Sequence, residues 1–229
     1  MKPMKAGLVG IGKLGTAMMA HWHRSSSPIG IYHPVKKKAE DFVQQFQNGY
    51  CLSKEELSNL DVLVLALPAL RVIPFISSIR IKGSTTIINM ATALQTNEIK
   101  SNFPSLNIQG VKFMGHWKDL LEHGNGLFIT ESPLPPEIED LYHSLGKVKL
   151  DREDCLSEVN KLATYYAIKA AIEIEKDFSD RGISPEYVKR ALTSLAPEVM
   201  RSYSEGNLGH FAMDIVKEVQ AEKGGVNLD

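Results

Sequence analysis

Apolar and polar positions along the chain fall into short blocks whose period keeps changing. Lys5–Val9 reads as a short buried strand, and Thr16–Arg24 as a helix in which Ala17, Met18, Ala20 and His21 mix small and bulky packing groups. The loop Ser25-Ser26-Ser27-Pro28 breaks that helix. Ile29–Tyr32 is a second strand, after which Ala39, Phe42, Val43 and Phe46 recur at helical spacing. Ser53 and Glu56 are spaced as a capping box that opens a short helix. Val62–Leu67 is apolar at every position, as a strand buried on both faces of a parallel sheet should be, and Pro68 ends it. A helix over 70–79, a strand Thr85–Met90, a helix capped near Thr96 or Asn97 and a strand Gly110–Met114 follow. Then come a strand Gly126–Thr130, a helix Pro136–Leu145 and a strand Val148–Leu150. Strands alternating with helices predict an α/β fold with a doubly wound, mostly parallel sheet of Rossmann type.

From Asp151 the pattern turns helical throughout, which predicts a smaller all-α domain and a boundary near residue 150, giving domains 1–150 and 151–229. One long helix spans 153–180 and stops at Gly182. Ser184-Pro185 restarts another with an N-cap and a proline at the first helical position, and a third runs from about Gly209 to Glu222. Within "LATYYAIKAAIEI" (Leu162 to Ile174) the apolar surface extends nearly all round. A helix of that kind is covered on several sides. Either it packs on the α/β domain or a partner subunit covers it, and the expectation is a homodimer through the C-terminal helices.

Composition narrows the functional classes. The 229 residues carry a formal net charge of -1, so no general field draws the chain to nucleic acid or to an anionic membrane, and any anion site must be local. The most apolar window, "DVLVLALPAL", is far shorter than the about 20 residues of a spanning helix, and the N-terminal run is too short and glycine-rich for a signal peptide. Cys51 and Cys155 match no zinc or redox spacing, and His123, His143 and His210 have no companions at metal-ligand spacing. The expectation is a cytoplasmic protein with no metal and no nucleic-acid or membrane partner.

Chemistry enters at Gly10-Ile11-Gly12-Lys13-Leu14-Gly15, which has the G-x-G-x-x-G spacing after a strand and before a helix. The first glycine allows a sharp turn, the second lets a diphosphate approach the backbone, and the third lets helix and sheet pack closely. The helix N-terminus then faces the phosphates with free N–H groups. At the end of the second strand, where an NAD site places a carboxylate, stand His33 and Pro34, followed by Lys36, Lys37 and Lys38. An imidazole and a run of ammonium groups suit a 2′-phosphate, so the expected cofactor is NADP. Three cations at a helix N-terminus oppose the macrodipole, a cost that an anionic ligand would offset.

At this point the chain resembles pyrroline-5-carboxylate reductase and related NADP-dependent reductases. "GLVGIGKLGTAMMAHW" resembles the family's opening and "IYHPVKKKAEDF" its adenosine-phosphate loop. "DVLVLALPAL" resembles the strand where the family carries Lys-Pro, and "TTIINMATALQTNEI" the strand and loop beside the nicotinamide. The resemblance implies that Ala66, Leu67, Pro68, Met90 and Ala91 join the cofactor site. It extends through "VKFMGHWKDLLEHGNGLFIT" into the helical segment, to about residue 195, and within that span the chain departs at several motifs. Met114-Gly115-His116 replaces Met-Pro-Asn, Leu67 replaces the lysine before the proline, and Leu162–Ala167 replaces Ser-Gly-Ser-Gly-Pro-Ala. No Pro-Gly-Gly-Thr-Thr lies near the C-terminus. The cofactor half is kept and the substrate half rewritten.

His116, after the strand ending at Met114, is the candidate proton donor; the other reading packs it structurally beside Trp117. Lys161 is similar in placement to the catalytic lysine of β-hydroxyacid dehydrogenases, although Tyr165 stands where their asparagine would be, and a surface lysine is the other reading. Three functions follow from the resemblance: an NADP(H)-dependent oxidoreductase reducing a small imine or carbonyl substrate, an inactive NADP-binding regulatory or scaffold protein, or an oxidoreductase between NADP and a deazaflavin.

Overall fold

The computed structural model describes residues 4–224, so the outermost ends of the two expected domains lie outside the described residues. Six parallel strands form the main sheet: β1 (Ala6–Val9), β2 (Ile29–Tyr32), β3 (Gly49–Cys51), β4 (Val62–Leu65), β5 (Thr86–Asn89) and β6 (Asn107–Gly110). Their order is β3-β2-β1-β4-β5-β6. Gly7 of β1 lies between Gly30 of β2 and Leu63 of β4. Helices α1 (Lys13–Arg24), α2 (Lys36–Val43), α3 (Ala69–Ser78) and α4 (Thr96–Asn102) make the crossovers.

The strand period of two explains the core. Leu8, Val64 and Ile88 join one apolar layer with Met18, Trp22 and Ile31, while their neighbours Val9, Leu63, Leu65 and Ile87 join the other with Leu57, Val72 and Ile99. Both faces of the sheet are therefore covered, as a continuous apolar strand such as Val62–Leu65 demands. Trp22 is buried and its indole N–H donates to the Leu141 carbonyl at 2.9 Å.

The expected strand Gly110–Met114 is corrected. It splits at Val111 into the end of β6 and a separate strand, β7 (Lys112–Met114), which belongs to a second sheet. There β7 pairs antiparallel with β8 (Gly126–Thr130), and β8 pairs parallel with β9 (Gly146–Leu150). Helices α5 (Trp117–His123) and α6 (Pro136–His143) connect them. The expected strand Val62–Leu67 is also shorter, because Ala66 and Leu67 leave the ladder and Pro68 caps α3. Ser53 and Glu56 bond reciprocally as the capping box requires, each accepting from the other's backbone N–H, and open a 3-10 turn, Glu56–Asn59.

Helix α7 (Glu153–Asp180) starts the helical region, and the chain divides into two compact units at Lys161/Leu162, within this helix. The second unit holds the rest of α7, then α8 (Pro185–Arg190), a π-helical turn (Ala191–Leu195), α9 (Ala196–Glu205) and α10 (His210–Gly224). Gly182 and Gly206, at φ 66° and 70°, adopt the left-handed conformation that ends α7 and α9. Ser184 takes the N-cap position of α8, but its hydroxyl makes no capping bond. Among the described residues no helix is long and apolar enough to cross a membrane.

Candidate cofactor site

The C-terminal ends of β2, β1, β4 and β5 bring together most of the residues singled out in the sequence. Gly10–Gly15 follow β1, His33-Pro34 follow β2, Ala66-Leu67-Pro68 follow β4, and Met90-Ala91 follow β5. Crossovers diverge between β1 and β4, the position at which open α/β sheets form a crevice.

The three glycines have different reasons to be glycine. Gly10 has φ 110°, and a Cβ there would lie 2.2 Å from the Ala66 carbonyl oxygen. A Cβ on Gly15 would lie 1.9 Å from the Gly10 carbonyl oxygen. Both are forced by the fold. Gly12 is not: its φ is -77°, and a Cβ there would meet nothing within 4 Å. Gly12 N-caps α1, which has no side-chain cap and no acidic residue in its first turn, so the amides there are open to an anion.

Two hollows flank His33. One, of about 440 Å³, is lined by Ile11, Gly12, His33, Lys38, Asp41 and Phe42 among others. The other, of about 450 Å³, is mostly apolar, with Gly10, Tyr32, Leu67, Pro74 and Phe75 around Arg71 and His33. His33 Nδ1 lies 2.9 Å from the Val35 backbone nitrogen and 3.2 Å from the Val35 carbonyl oxygen, which fixes the ring against the first turn of α2. Lys36 and Lys37 point along the exposed face of α2 and pair with Glu40 at 3.5 Å and Asp41 at 2.8 Å. The hydrogen bond and charge of Asp41 raise Lys37 above the ordinary lysine range. These carboxylates already offset part of the dipole cost of the lysine run, and Lys38 is the lysine that lines a hollow.

His116 is exposed and N-caps α5, where its Nδ1 accepts from the Lys118 N–H at 3.4 Å. Its ring lies 5.6 Å from that of Trp117, and Lys13 Nζ sits 5.3 Å over the Trp117 ring. The His116 turn is thereby tied to the glycine loop. Lys161 is exposed on α7, with no hydrogen bond or ion pair among the described residues.

A buried polar cluster behind Met90-Ala91 went unread in the sequence. Lys112 is 1% exposed and Glu153 3% exposed, with Nζ and Oε2 3.7 Å apart. Lys112 donates to the carbonyls of Ala91 at 2.7 Å and Leu94 at 2.9 Å. Glu153 accepts from the Thr96 N–H at 3.0 Å and the Thr96 hydroxyl at 2.5 Å, and Asn89 accepts from the Ala91 N–H at 3.0 Å. Gly110 leaves room for it, since a Cβ there would lie 1.6 Å from Glu153 Oε1. The signal available was a lysine inside the apolar run "GVKFM".

Burial lowers Lys112 to about 8, against the opposing pull of Glu153 and Glu131. The folded value lies below the ordinary 10.5, so between those limits the unfolded chain holds a proton that the folded chain has released, and this group's contribution to stability rises with pH. Urea unfolding at pH 7.5 and pH 9.5 should show the stability gap between wild type and Lys112→Met widening at the higher pH. A gap that narrowed would contradict the assignment. Among the described residues no group of His, Cys, Asp and Glu could hold a metal ion.

Residues 5–93 match the family described as NADP oxidoreductase, coenzyme F420-dependent. No curated protein matches the chain by sequence. Among solved structures, 1-pyrroline-5-carboxylate reductase from Streptococcus pyogenes is similar with a TM-score of 0.69 at 16% identity, over 98% of this chain and 92% of that one. An imine reductase from Aspergillus terreus, in complex with NADPH4 and dibenz[c,e]azepine, has a TM-score of 0.64 at 16% identity, over 90% and 75%. A 3-hydroxyisobutyrate dehydrogenase from Mycobacterium tuberculosis has a TM-score of 0.60 at 13% identity, over 83% and 71%. In fold over nearly its whole length this chain is similar to 1-pyrroline-5-carboxylate reductase, and in the sequence of residues 5–93 it matches the coenzyme F420-dependent NADP oxidoreductase family.

Proposed function

We propose that the chain is an NADP(H)-dependent oxidoreductase that reduces a small imine or carbonyl compound. The observation that carries this reading is Gly12, a glycine at a helix N-terminus with open space where its side chain would be and no conformational need to be glycine. A bound diphosphate supplies that need. The first turn of α1 holds the diphosphate, and the apolar slot of Tyr32, Leu67, Pro74 and Phe75 takes the adenine. His33 and Lys38 meet the 2′-phosphate, with Lys36 and Lys37 adding to the positive field. When bound, the cofactor supplies a hydride. The chain's part is to orient the acceptor and exclude water, and the exposed His116 delivers the proton that the reduced nitrogen or oxygen gains.

The exposed apolar residues of α7, among them Leu162, Tyr166 and Ile172 at 49–63% exposure, support a homodimer through the C-terminal helices. The net charge near neutrality and the absence of a membrane-spanning helix among the described residues support a cytoplasmic protein acting on a small molecule.

Separate fluorescence titrations with NADPH and NADH, followed by a turnover screen against cyclic imines, 2-oxoacids and a deazaflavin, test the reading. Saturable NADPH binding, tighter than NADH, with turnover of an imine or carbonyl is expected. Tighter NADH binding would overturn the 2′-phosphate assignment. The replacement of the family's substrate motifs around His116 and at Leu162–Ala167 favours a second reading, an NADP-binding regulatory protein, which tight NADPH binding with no turnover would establish. Turnover of the deazaflavin alone would shift the substrate class, in line with the family matched by residues 5–93. Lys38→Ala should weaken NADPH about 10-fold, a loss of about 1.4 kcal/mol, and leave NADH unchanged. Equal losses for both cofactors in the same titration would remove Lys38 from the phosphate site.

A further inference from the structure

We infer that Lys112 and Glu153 are positioning residues for cofactor binding: they fix the backbone of the loop 90–95, between β5 and α4, without touching the cofactor themselves. This deepens the oxidoreductase reading and rests on it. Side chains from three elements converge on this short loop. From the end of β5, Asn89 accepts from the Ala91 N–H and donates to the Leu94 carbonyl at 2.9 Å. From the start of β7, Lys112 donates to the carbonyls of Ala91 and Leu94. From the start of α7, Glu153 accepts from both the backbone and the hydroxyl of Thr96, just beyond the loop. Met90, Ala91 and Leu94 are buried, so the loop turns Thr92, Ala93 and Gln95 outward from a backbone held on its inner side.

An apolar pair of the same volume would serve packing as well as a buried ion pair does. What an apolar pair could not supply is donors and acceptors aimed at chosen carbonyl and amide groups. The loop follows β5 at the same sheet edge as the glycine loop, so its backbone course sets the floor on which the nicotinamide end would rest.

The test uses the full-length double variant Lys112→Met/Glu153→Leu, with Glu153→Gln as a second variant that keeps the shape of the side chain and one acceptor oxygen. Hydrogen exchange followed by mass spectrometry, without cofactor, should show amides 91–96 exchanging at least 10-fold faster, with β1 and β4 unchanged. NADPH affinity should fall at least 10-fold in the double variant and less in Glu153→Gln. In a turnover assay the loss should appear mainly in KM for NADPH. Unchanged exchange in the loop overturns the inference, as does a loosened loop that binds NADPH with wild-type affinity. If wild type binds no NADPH, the oxidoreductase reading fails by itself and the cofactor role falls with it, while the exchange data still decide whether the pair holds the loop.

Discussion

Gly12→Val should reduce NADPH affinity at least 100-fold, about 2.7 kcal/mol, and leave the melting temperature within a degree or two of wild type. Backbone conformation permits the substitution, because φ at this position is -77°, and the new side chain would enter space where nothing in the protein lies within 4 Å. Its methyl groups would instead occupy the approach to the first-turn amides of α1. Gly15→Ala provides the opposite control. Its Cβ would fall 1.9 Å from the Gly10 carbonyl oxygen, so α1 must move off β1, and the cost should appear as lost stability before any binding is measured. Differential scanning fluorimetry with and without NADPH separates the two. A Gly12→Val protein that bound NADPH as tightly as wild type would remove the diphosphate from this helix end.

Lys112→Met and Glu153→Leu, made singly, should each destabilise the fold by about 3–5 kcal/mol, the usual loss when one member of a buried pair is left behind. In Lys112→Met the Glu153 carboxylate remains almost fully buried with only Thr96 to answer it, and the carbonyls of Ala91 and Leu94 lose their donor. In Glu153→Leu the ammonium keeps those carbonyls but loses its main countercharge, leaving only the weaker pull of Glu131. Urea denaturation of the two single variants and the double variant closes a thermodynamic cycle, in which the double should be milder than the sum of the singles. Strict additivity would mean that the two groups do not interact at their 3.7 Å separation.

Local signals made the cofactor half of this chain legible. Val62–Leu65 announces a doubly covered strand by composition alone, and the glycine loop carries its spacing, its strand and its helix within one short segment. Edge strands were another matter. β3 is only Gly49–Cys51, and β6, Asn107–Gly110, is partly polar, because a strand at a sheet edge has fewer apolar neighbours to satisfy. The run through Gly110–Met114 kept a strand-like composition across the switch between two sheets, so nothing in its hydrophobicity marked Val111 as the turning point. The Lys112 cluster was illegible for a different reason. Thr96 and Glu153 meet across a sequence separation of 57, and only the folded sheet brings them together. His33 was found by its place at the end of β2, whereas the division of labour among Lys36, Lys37 and Lys38 required knowing which face of α2 meets Glu40 and Asp41.

The ammonium of Lys13 resting over Trp117 gives the molecule its own optical signal. An anion bound at the proposed site would compete with the indole for that cation, so the emission of Trp117 should respond to its filling, while Trp22, sealed in the interior, should supply a steady background. Inorganic pyrophosphate, which does not absorb in the near ultraviolet, should therefore change the intrinsic fluorescence of the wild type and leave that of Trp117→Phe unaltered.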